Sequence, residues 1–198
     1  MKYVGSSVPG LTNRTLVSGS GTYTADIQLP GMCTIAILRS PYAHARIVAI
    51  DTQRAQAEPG VVAVLTGREI EQRTNPIPSA ADPGFYGGKS LKVYALPTGH
   101  VRYVGEAVAA VVAEDRYTAY RALGLIEVTY EELPVIADPE KAIESGSPLV
   151  EPSWGDNVMM HKEFTRGDVE QGLRRADGVI KGAVKAHRYV ASPMVATL

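Results

Sequence analysis

The side chains best suited to acid–base or metal chemistry are four histidines, one cysteine and two adjacent glutamates. The histidines are too scattered to form a recognisable ligand motif, so we expect each to be packed or solvated: they are His44, His100, His161 and His187. Glu131-Glu132 end a predicted strand, and we expect them to be solvated there rather than to act as a catalytic carboxylate pair. The sequence therefore predicts no catalytic, cofactor-binding or metal-binding residue.

Three further local signals favour structural interpretations. Cys33 lies between Met32 and an apolar run, without a nearby histidine or cationic group, and is predicted to be a buried small hydrophobe. Gly19-Ser20-Gly21 lacks the third glycine and the strand–turn–helix setting of a dinucleotide-binding fingerprint. Arg166-Gly167-Asp168 is predicted to start a helix rather than to serve as an adhesion motif.

Composition excludes several classes of protein. The 198 residues are 45% hydrophobic and 21% charged, which is typical of a globular chain of one or two domains. Twenty basic and 21 acidic residues give a net charge of −1, so no basic surface for nucleic acid or an anionic membrane is expected. No apolar run approaches the roughly 20 residues of a membrane span, and no secretory signal opens the chain, so we expect a cytoplasmic location. A single cysteine excludes an internal disulfide and an iron–sulfur cluster within the chain.

Apolar runs and caps predict alternating strands and helices after a turn-rich first thirty residues. The predicted strands are 34–38, 46–50 and 61–65, and the predicted helices are 52–57 and 67–72. Thr66 and Glu69 have the spacing of a capping box at the second helix. Residues 73–98 are rich in proline and glycine and predict a long surface excursion.

The segment 101–134 predicts a strand–helix–strand unit. A short strand 101–104 and a turn at Gly105 precede the wholly apolar strand 107–113. Asp115 is a candidate N-cap for a helix with one apolar stripe, made by Ala119, Ala122, Leu123 and Ile126. The following strand, 126–131, alternates apolar and polar residues. Twelve residues separate the two longer strands, which is about the minimum for a parallel crossover, so we predict a right-handed βαβ unit. Together with the strand–helix–strand unit over 46–65, it makes an α/β domain with βαβ units.

The organisation changes after Pro134. Asp138-Pro139 predicts a short helix to about Ser145, followed by a linker to residue 157. A helix capped by Asp168 is predicted over 169–176, and the alternation of 180–190 predicts a strand that needs a partner. We expect the region 158–198 to be the beginning of a domain whose remainder is missing or is supplied by another chain.

Several blocks carry a resemblance to the xanthine dehydrogenase and aldehyde oxidase family. The blocks are 23–27, 29–32, 38–47, 59–61, 64–67, 101–109, 130–134, Asn157, 167–168, 176–177 and 192–194. They keep the order of the family's large, molybdenum-binding subunit and span nearly the whole chain. Arg14 to Gly19 resembles most the carbon monoxide dehydrogenase-like branch.

The resemblance implies an α/β (α+β) architecture with four segments. It implies an N-terminal extension (1–17), an α/β hammerhead domain (18–135), a linker with a short helix (136–157) and the incomplete beginning of a molybdopterin-binding domain (158–198). Family members oxidise small molecules at a molybdenum–molybdopterin site and pass electrons through [2Fe-2S] clusters and often FAD. The family's pterin contacts, its glutamate base and most of its substrate pocket lie downstream of residue 198, so no cofactor in this chain and no particular substrate are implied.

The resemblance also implies partners, and it leaves two functions open. The partners would be the remainder of the large subunit, an iron–sulfur subunit and a FAD subunit, in a hetero-oligomer. Val195 follows Pro193-Met194 where the family commonly has glutamate, so a truncated, frameshifted or naturally split large subunit is expected. The first function is a non-catalytic N-terminal segment or split subunit of a molybdenum hydroxylase, giving scaffold and intersubunit contacts. The alternative is a stand-alone non-catalytic hammerhead module or a gene remnant.

Overall fold

The structure is a computed structural model that describes residues 4–78 and 87–186 of the chain. These residues belong to two compact units. The smaller unit contains residues 4–32 and 185–186, and the larger unit contains the described part of residues 33–184. Both β-sheets lie in the larger unit.

The smaller unit contains two short helical elements. The α-helix α1 spans Asn13–Val17, and a 3-10 turn spans Thr24–Asp26. Asp26 Oδ2 accepts a hydrogen bond from the Tyr23 amide at 2.9 Å, which closes the turn. The sequence predicted an irregular segment here. Helix α1 buries no side chain, so it leaves no apolar periodicity from which a helix could have been predicted.

The first sheet of the larger unit has three antiparallel strands in the order β1–β5–β3. They are β1 (Thr34–Arg39), β3 (Val61–Thr66) and β5 (Ala107–Ala113). Strand β5 lies at the centre, and all seven of its residues are apolar. Such a sequence suits a strand whose two faces are both turned away from water.

The second sheet is also three-stranded and antiparallel, in the order β4–β2–β6. Its strands are β2 (Ala45–Asp51), β4 (His100–Val101) and β6 (Glu127–Glu132). The residues of β6 alternate between half-buried and exposed, as predicted for a strand with one solvated face. Ala45, Val101 and Val108 are fully buried in one cluster, which joins this sheet to the central strand of the first.

Helix α4 (Arg116–Leu123) covers one face of the first sheet. Ala119 packs with Ala36 and Ala113, and Ala122 packs with Val111, all of them almost completely buried. The small side chains let the helix lie close to the sheet. The predicted apolar stripe is confirmed at Ala119, Ala122 and Leu123, whereas Ile126 lies beyond the end of the helix.

Helix α2 spans Gln53–Gln56, one residue shorter at each end than predicted, and α3 spans Gly67–Arg73. Local capping signals set the starts of α3 and α4 as predicted. Glu69 Oε2 accepts from the Thr66 amide at 2.8 Å, which forms the predicted capping box. Asp115 caps α4 by accepting from the amides of the second and third helical residues at 2.8 and 3.0 Å.

The mixed α/β content is confirmed, but the predicted parallel βαβ units are wrong. Strands β5 and β6 flank α4 in sequence and yet belong to different sheets, and so do β2 and β3 on either side of α2. Every pairing in the two sheets is antiparallel. A twelve-residue connection permits a parallel crossover without requiring one, because it can equally carry the chain from one sheet to another.

The region after β6 contains short helices. Helix α5 (Pro139–Ala142) is capped by Asp138 as predicted, but it ends three residues before Ser145; a 3-10 turn follows at Pro152–Trp154. Helix α6 (Val169–Arg175) begins after Asp168, whose Oδ1 accepts from the Gln171 amide at 2.8 Å, so the helix-start interpretation is confirmed.

The strand predicted over 180–190 is absent from its described part, residues 180–186. Ile180 and Val184 are 99% and 97% exposed there, so the alternating pattern has no sheet to pack on. Residues 187–190 lie outside the described residues.

Candidate functional site

A cluster of polar side chains lies at the turn between β4 and β5. Gly105 has a φ of +88°, which favours glycine, and lets the chain reverse there. The Gly105 amide donates to the Ser40 carbonyl oxygen, and the Ser40 amide donates to the Glu106 carbonyl oxygen, both at 2.8 Å. The turn is thereby fixed to the end of β1. Residues 102–104, predicted as strand, belong to this turn.

Glu106 places a carboxylate in the interior of the larger unit. Glu106 is only 8% exposed, and its Oε2 accepts a hydrogen bond from the Arg102 amide at 2.5 Å. Burying a carboxylate is costly unless hydrogen bonds replace its water. The backbone amide does so here, so the carboxylate stabilises the turn.

Arg102 connects this turn to the second half of the larger unit. Its Nη2 lies 3.1 Å from Glu151 Oε2, and the two side chains are only 24% and 17% exposed. The Ser153 hydroxyl donates to Glu151 Oε1 at 2.8 Å. This hydrogen bond, and then the Arg102 guanidinium, hold the pKa of Glu151 below its ordinary value. Arg102 Nε is buried and has no hydrogen-bond partner among the described residues.

The cluster borders a cavity of about 510 Å³. Its polar lining residues are Glu71, Lys92, Tyr94, Thr98, His100, Arg102, Tyr103 and Glu106. The pKa of His100 is lowered by burial, and further by the positive charge of Arg102 and by His44, which favours the neutral imidazole at pH 7. Among these lining residues are a neutral imidazole, an ion-paired guanidinium and, at Glu106, a carboxylate that accepts from the backbone.

The hydrogen bonds and the ion pair of the cluster act as structural contacts. They join three segments distant in sequence: the end of β1, the β4–β5 turn and the 3-10 turn at 152–154.

The three described histidines, His44, His100 and His161, do not form a metal site. His44 Nδ1 lies 2.9 Å from the Pro134 carbonyl oxygen, His161 is exposed, and His187 lies outside the described residues. Across residues 4–78 and 87–186, no group of three or more histidine, cysteine, aspartate or glutamate side chains could hold a metal ion. In the same residues, no helix has the length and apolar composition of a bilayer span.

The predictions for Cys33 and the glutamate pair had different outcomes. Cys33 is exposed, so the prediction of a buried small hydrophobe was wrong. Cys33 immediately precedes β1, so it is not among the strand residues that pack against α4. Glu131 and Glu132 are exposed at the end of β6, as expected, and Glu131 forms an ion pair with Arg46 on the adjacent strand.

The cluster at residues 102–106 was not predicted from the sequence. Glu106 stands at the entry to a wholly apolar strand, and that position is a local signal that its carboxylate needs an internal partner. The pairing of Arg102 with Glu151 spans 49 residues and has no local signal.

Comparison with known proteins identifies the family. Residues 18–134 match the family model described as aldehyde oxidase and xanthine dehydrogenase, a/b hammerhead domain. The chain therefore belongs to the aldehyde oxidase and xanthine dehydrogenase family, and the predicted hammerhead fold and family resemblance are confirmed.

Three curated relatives agree with this assignment. The nicotine 6-hydroxylase large subunit of Paenarthrobacter nicotinovorans is 36% identical over 96% of this chain and 23% of its own length. The xanthine dehydrogenase molybdenum-binding subunit of Escherichia coli O157:H7 is 35% identical over 84% of this chain and 22% of its own. The carbon monoxide dehydrogenase large chain of Afipia carboxidovorans is 35% identical over 89% of this chain and 22% of its own.

A solved structure supports the fold. Quinoline 2-oxidoreductase from Pseudomonas putida 86 matches with a TM-score of 0.76 and 37% identity, over 90% of this chain and 22% of that one. The chain thus spans less than a quarter of the length of these relatives.

The family implies a molybdenum–molybdopterin group and, in its complexes, iron–sulfur clusters and FAD. The sequence has one cysteine, so it does not fit an iron–sulfur cluster, which needs several cysteine ligands.

Proposed function

We propose that this chain is the N-terminal segment or a split subunit of a molybdenum hydroxylase large subunit, and that it contributes scaffold and intersubunit contacts. Catalysis takes place on the remainder of that subunit. The observation that carries the proposal is the match of 84–96% of this chain to only 22–23% of much longer large subunits. The polar cluster supports it, because its charged groups are used in joining segments of the domain.

The proposal includes cofactors and partners outside the chain. The remainder of the large subunit binds molybdopterin and molybdenum, and separate subunits carry [2Fe-2S] clusters and FAD. The resulting assembly is a cytoplasmic hetero-oligomer. The near-neutral charge of the chain favours protein partners over nucleic acid or anionic membranes.

Affinity purification of the native protein with metal and pterin analysis tests the proposal. We expect an epitope on this chain to recover the remainder of the large subunit, together with molybdenum and pterin. The 198-residue chain expressed alone should contain neither. Recovery of the native chain without any partner or molybdenum would contradict the proposal and favour a stand-alone module or gene remnant. Stoichiometric pterin on the isolated chain would contradict the claim that the cofactor is bound elsewhere.

A further inference from the structure

One face of the first sheet is apolar and open to solvent. Antiparallel register aligns Ile35, Val112 and Ala63 in one row across the three strands. A second row contains Ile37, Ala110 and Leu65. Residues two apart on a strand point to the same side, so the two rows share one face. We call these six residues the open face.

The two faces of this sheet are covered to very different degrees. On the α4 side, Ala36, Val111 and Ala113 are at most 1% exposed. On the open face, Ile35 is 53% and Ile37 is 40% exposed. Val112, Ala63 and Leu65 are half-buried, and Ala110 on the central strand is 8% exposed; none of the four belongs to the clusters packed against α4. The sheet therefore has one covering layer where its composition suits two.

The strand sequences indicate that a second layer belongs there. Strands with one solvated face alternate apolar and polar residues, as β6 does. The interiors of β1, β3 and β5 are apolar on both faces, with no charged residue among the six of the open face. Such continuous apolar strands are typical of sheets packed on both sides.

We propose that the open face is the docking surface for the remainder of the large subunit, which covers it with apolar side chains. This inference rests on the proposed function. The relatives are more than four times as long as the segment matched here, so most of the large subunit is available to provide the second layer. The six residues carry no charge, and the one cation that follows them on β1, Arg39, donates from Nη1 to the Gly105 carbonyl oxygen at 2.8 Å, so the surface fits an apolar protein partner.

The test changes the open face without changing the buried layer. The full 198-residue chain is captured on a biosensor, and the remainder of the large subunit, produced from the adjoining coding sequence, is the analyte. The double variant Ile35→Lys/Ile37→Lys should bind at least tenfold more weakly than wild type, because two ammonium groups would be buried unpaired at the contact. Val48→Lys is the matched control: Val48 is an apolar residue of β2, 50% exposed, on the other sheet. Its affinity should stay within about twofold of wild type.

Stability measurements separate a docking defect from misfolding. Ile35 and Ile37 are exposed in the isolated chain, so the double variant should keep the circular dichroism spectrum and the melting temperature of the wild type. A tenfold loss of affinity with an unchanged melting temperature supports the inference.

The other outcomes overturn specific statements. Wild-type binding that the double variant retains, or that Val48→Lys weakens equally, overturns the open face as the docking surface and leaves the proposed function intact. A wild-type dimer that dissociates in the double variant identifies a second copy as the occupant and overturns the inference. Absence of wild-type binding overturns the proposed function itself.

Discussion

Glu106 and Arg102 show how charged residues act structurally in this domain. The Glu106 carboxylate accepts the Arg102 amide, and the Arg102 guanidinium pairs with Glu151, so a single turn is held from two directions. Each interaction lies in a protected environment, where an unpaired polar group is costly. The turn is consequently stabilised by this hydrogen bond and this ion pair more than by the intrinsic turn propensity of its residues.

We expect Glu106→Ala to lower the free energy of unfolding by about 1–3 kcal/mol, because the Arg102 amide would lose its acceptor in a buried site. Urea denaturation of the 198-residue chain measures this change. Glu106→Gln is the matched control, since its amide oxygen can still accept and should cost less than the alanine variant. Equal losses in the two variants would show that the charge, and not the acceptor, stabilises the turn.

The Arg102–Glu151 pair makes a separate prediction at the same scale. The Ser153 hydroxyl and the Arg102 guanidinium both lower the pKa of Glu151. In Ser153→Ala, and again in Arg102→Met, we expect this pKa to rise towards its ordinary value of 4.5. Carboxyl-carbon NMR titration reports the value directly. An unchanged pKa in both variants would show that neither interaction persists in solution.

At the scale of elements, the strands and helix caps were predicted from local sequence signals, whereas the pairing of the strands was not. The apolar run of β5, the capping box of α3 and the Asp115 cap of α4 are encoded within a few residues, and all three were predicted. Strand partners depend on residues far apart in sequence, so the sheet to which β6 belongs could not be predicted from its connection to β5. One signal was available: β6 alternates whereas β5 is apolar throughout, and this difference suits strands in different surroundings.

The start of α3 depends on a glycine for a steric reason. A Cβ at Gly67 would lie 2.1 Å from the Pro97 carbonyl oxygen, so Gly67→Ala must displace backbone. We expect a loss of about 1–3 kcal/mol in unfolding free energy, as for other overpacked sites. Gly172→Ala in α6 is the control, because a Cβ there would meet nothing within 4 Å. That variant should gain about 0.4–1 kcal/mol. Thermal unfolding of both proteins measures the contrast, and a neutral Gly67→Ala would show that α3 and Pro97 do not approach this closely.

At the scale of the whole molecule, the family could be predicted from the sequence, whereas contacts between distant residues could not. The order of motifs along the chain predicted the family, because family membership can be read from local sequence without knowing which strands pair. The polar cluster was not predicted, because Arg102 and Glu151 meet only in the folded chain. The exposure of Ile35 and Ile37 was not predicted either, since an apolar strand does not show from its sequence whether its second layer lies in the same chain.

The perturbed groups of the larger unit predict acid destabilisation in two phases. Burial, followed by Arg102 and His44, lowers the pKa of His100 below 6.5, so the unfolded chain binds this proton more readily than the folded one. Stability from His100 is present above pH 6.5 and is lost as the pH falls through the lowered folded pKa. The pKa of Glu69 is lowered chiefly by the Thr66 hydroxyl, so its contribution is present above 4.5 and is lost only at more acidic pH.

Urea denaturation at a series of pH values measures this effect, with the fluorescence of the single tryptophan, Trp154, as the probe. The free energy of unfolding should show a first decline below pH 6.5 and a second below 4.5. His100→Gln should remove the first decline and keep the second, because only the imidazole titrates in the upper range. His161→Gln, which removes an exposed ring, should keep both. Glu69→Gln should weaken the second decline while retaining the capping hydrogen bond to the Thr66 amide. If His100→Gln left the first decline unchanged, the burial of this imidazole beside Arg102 would not be its cause.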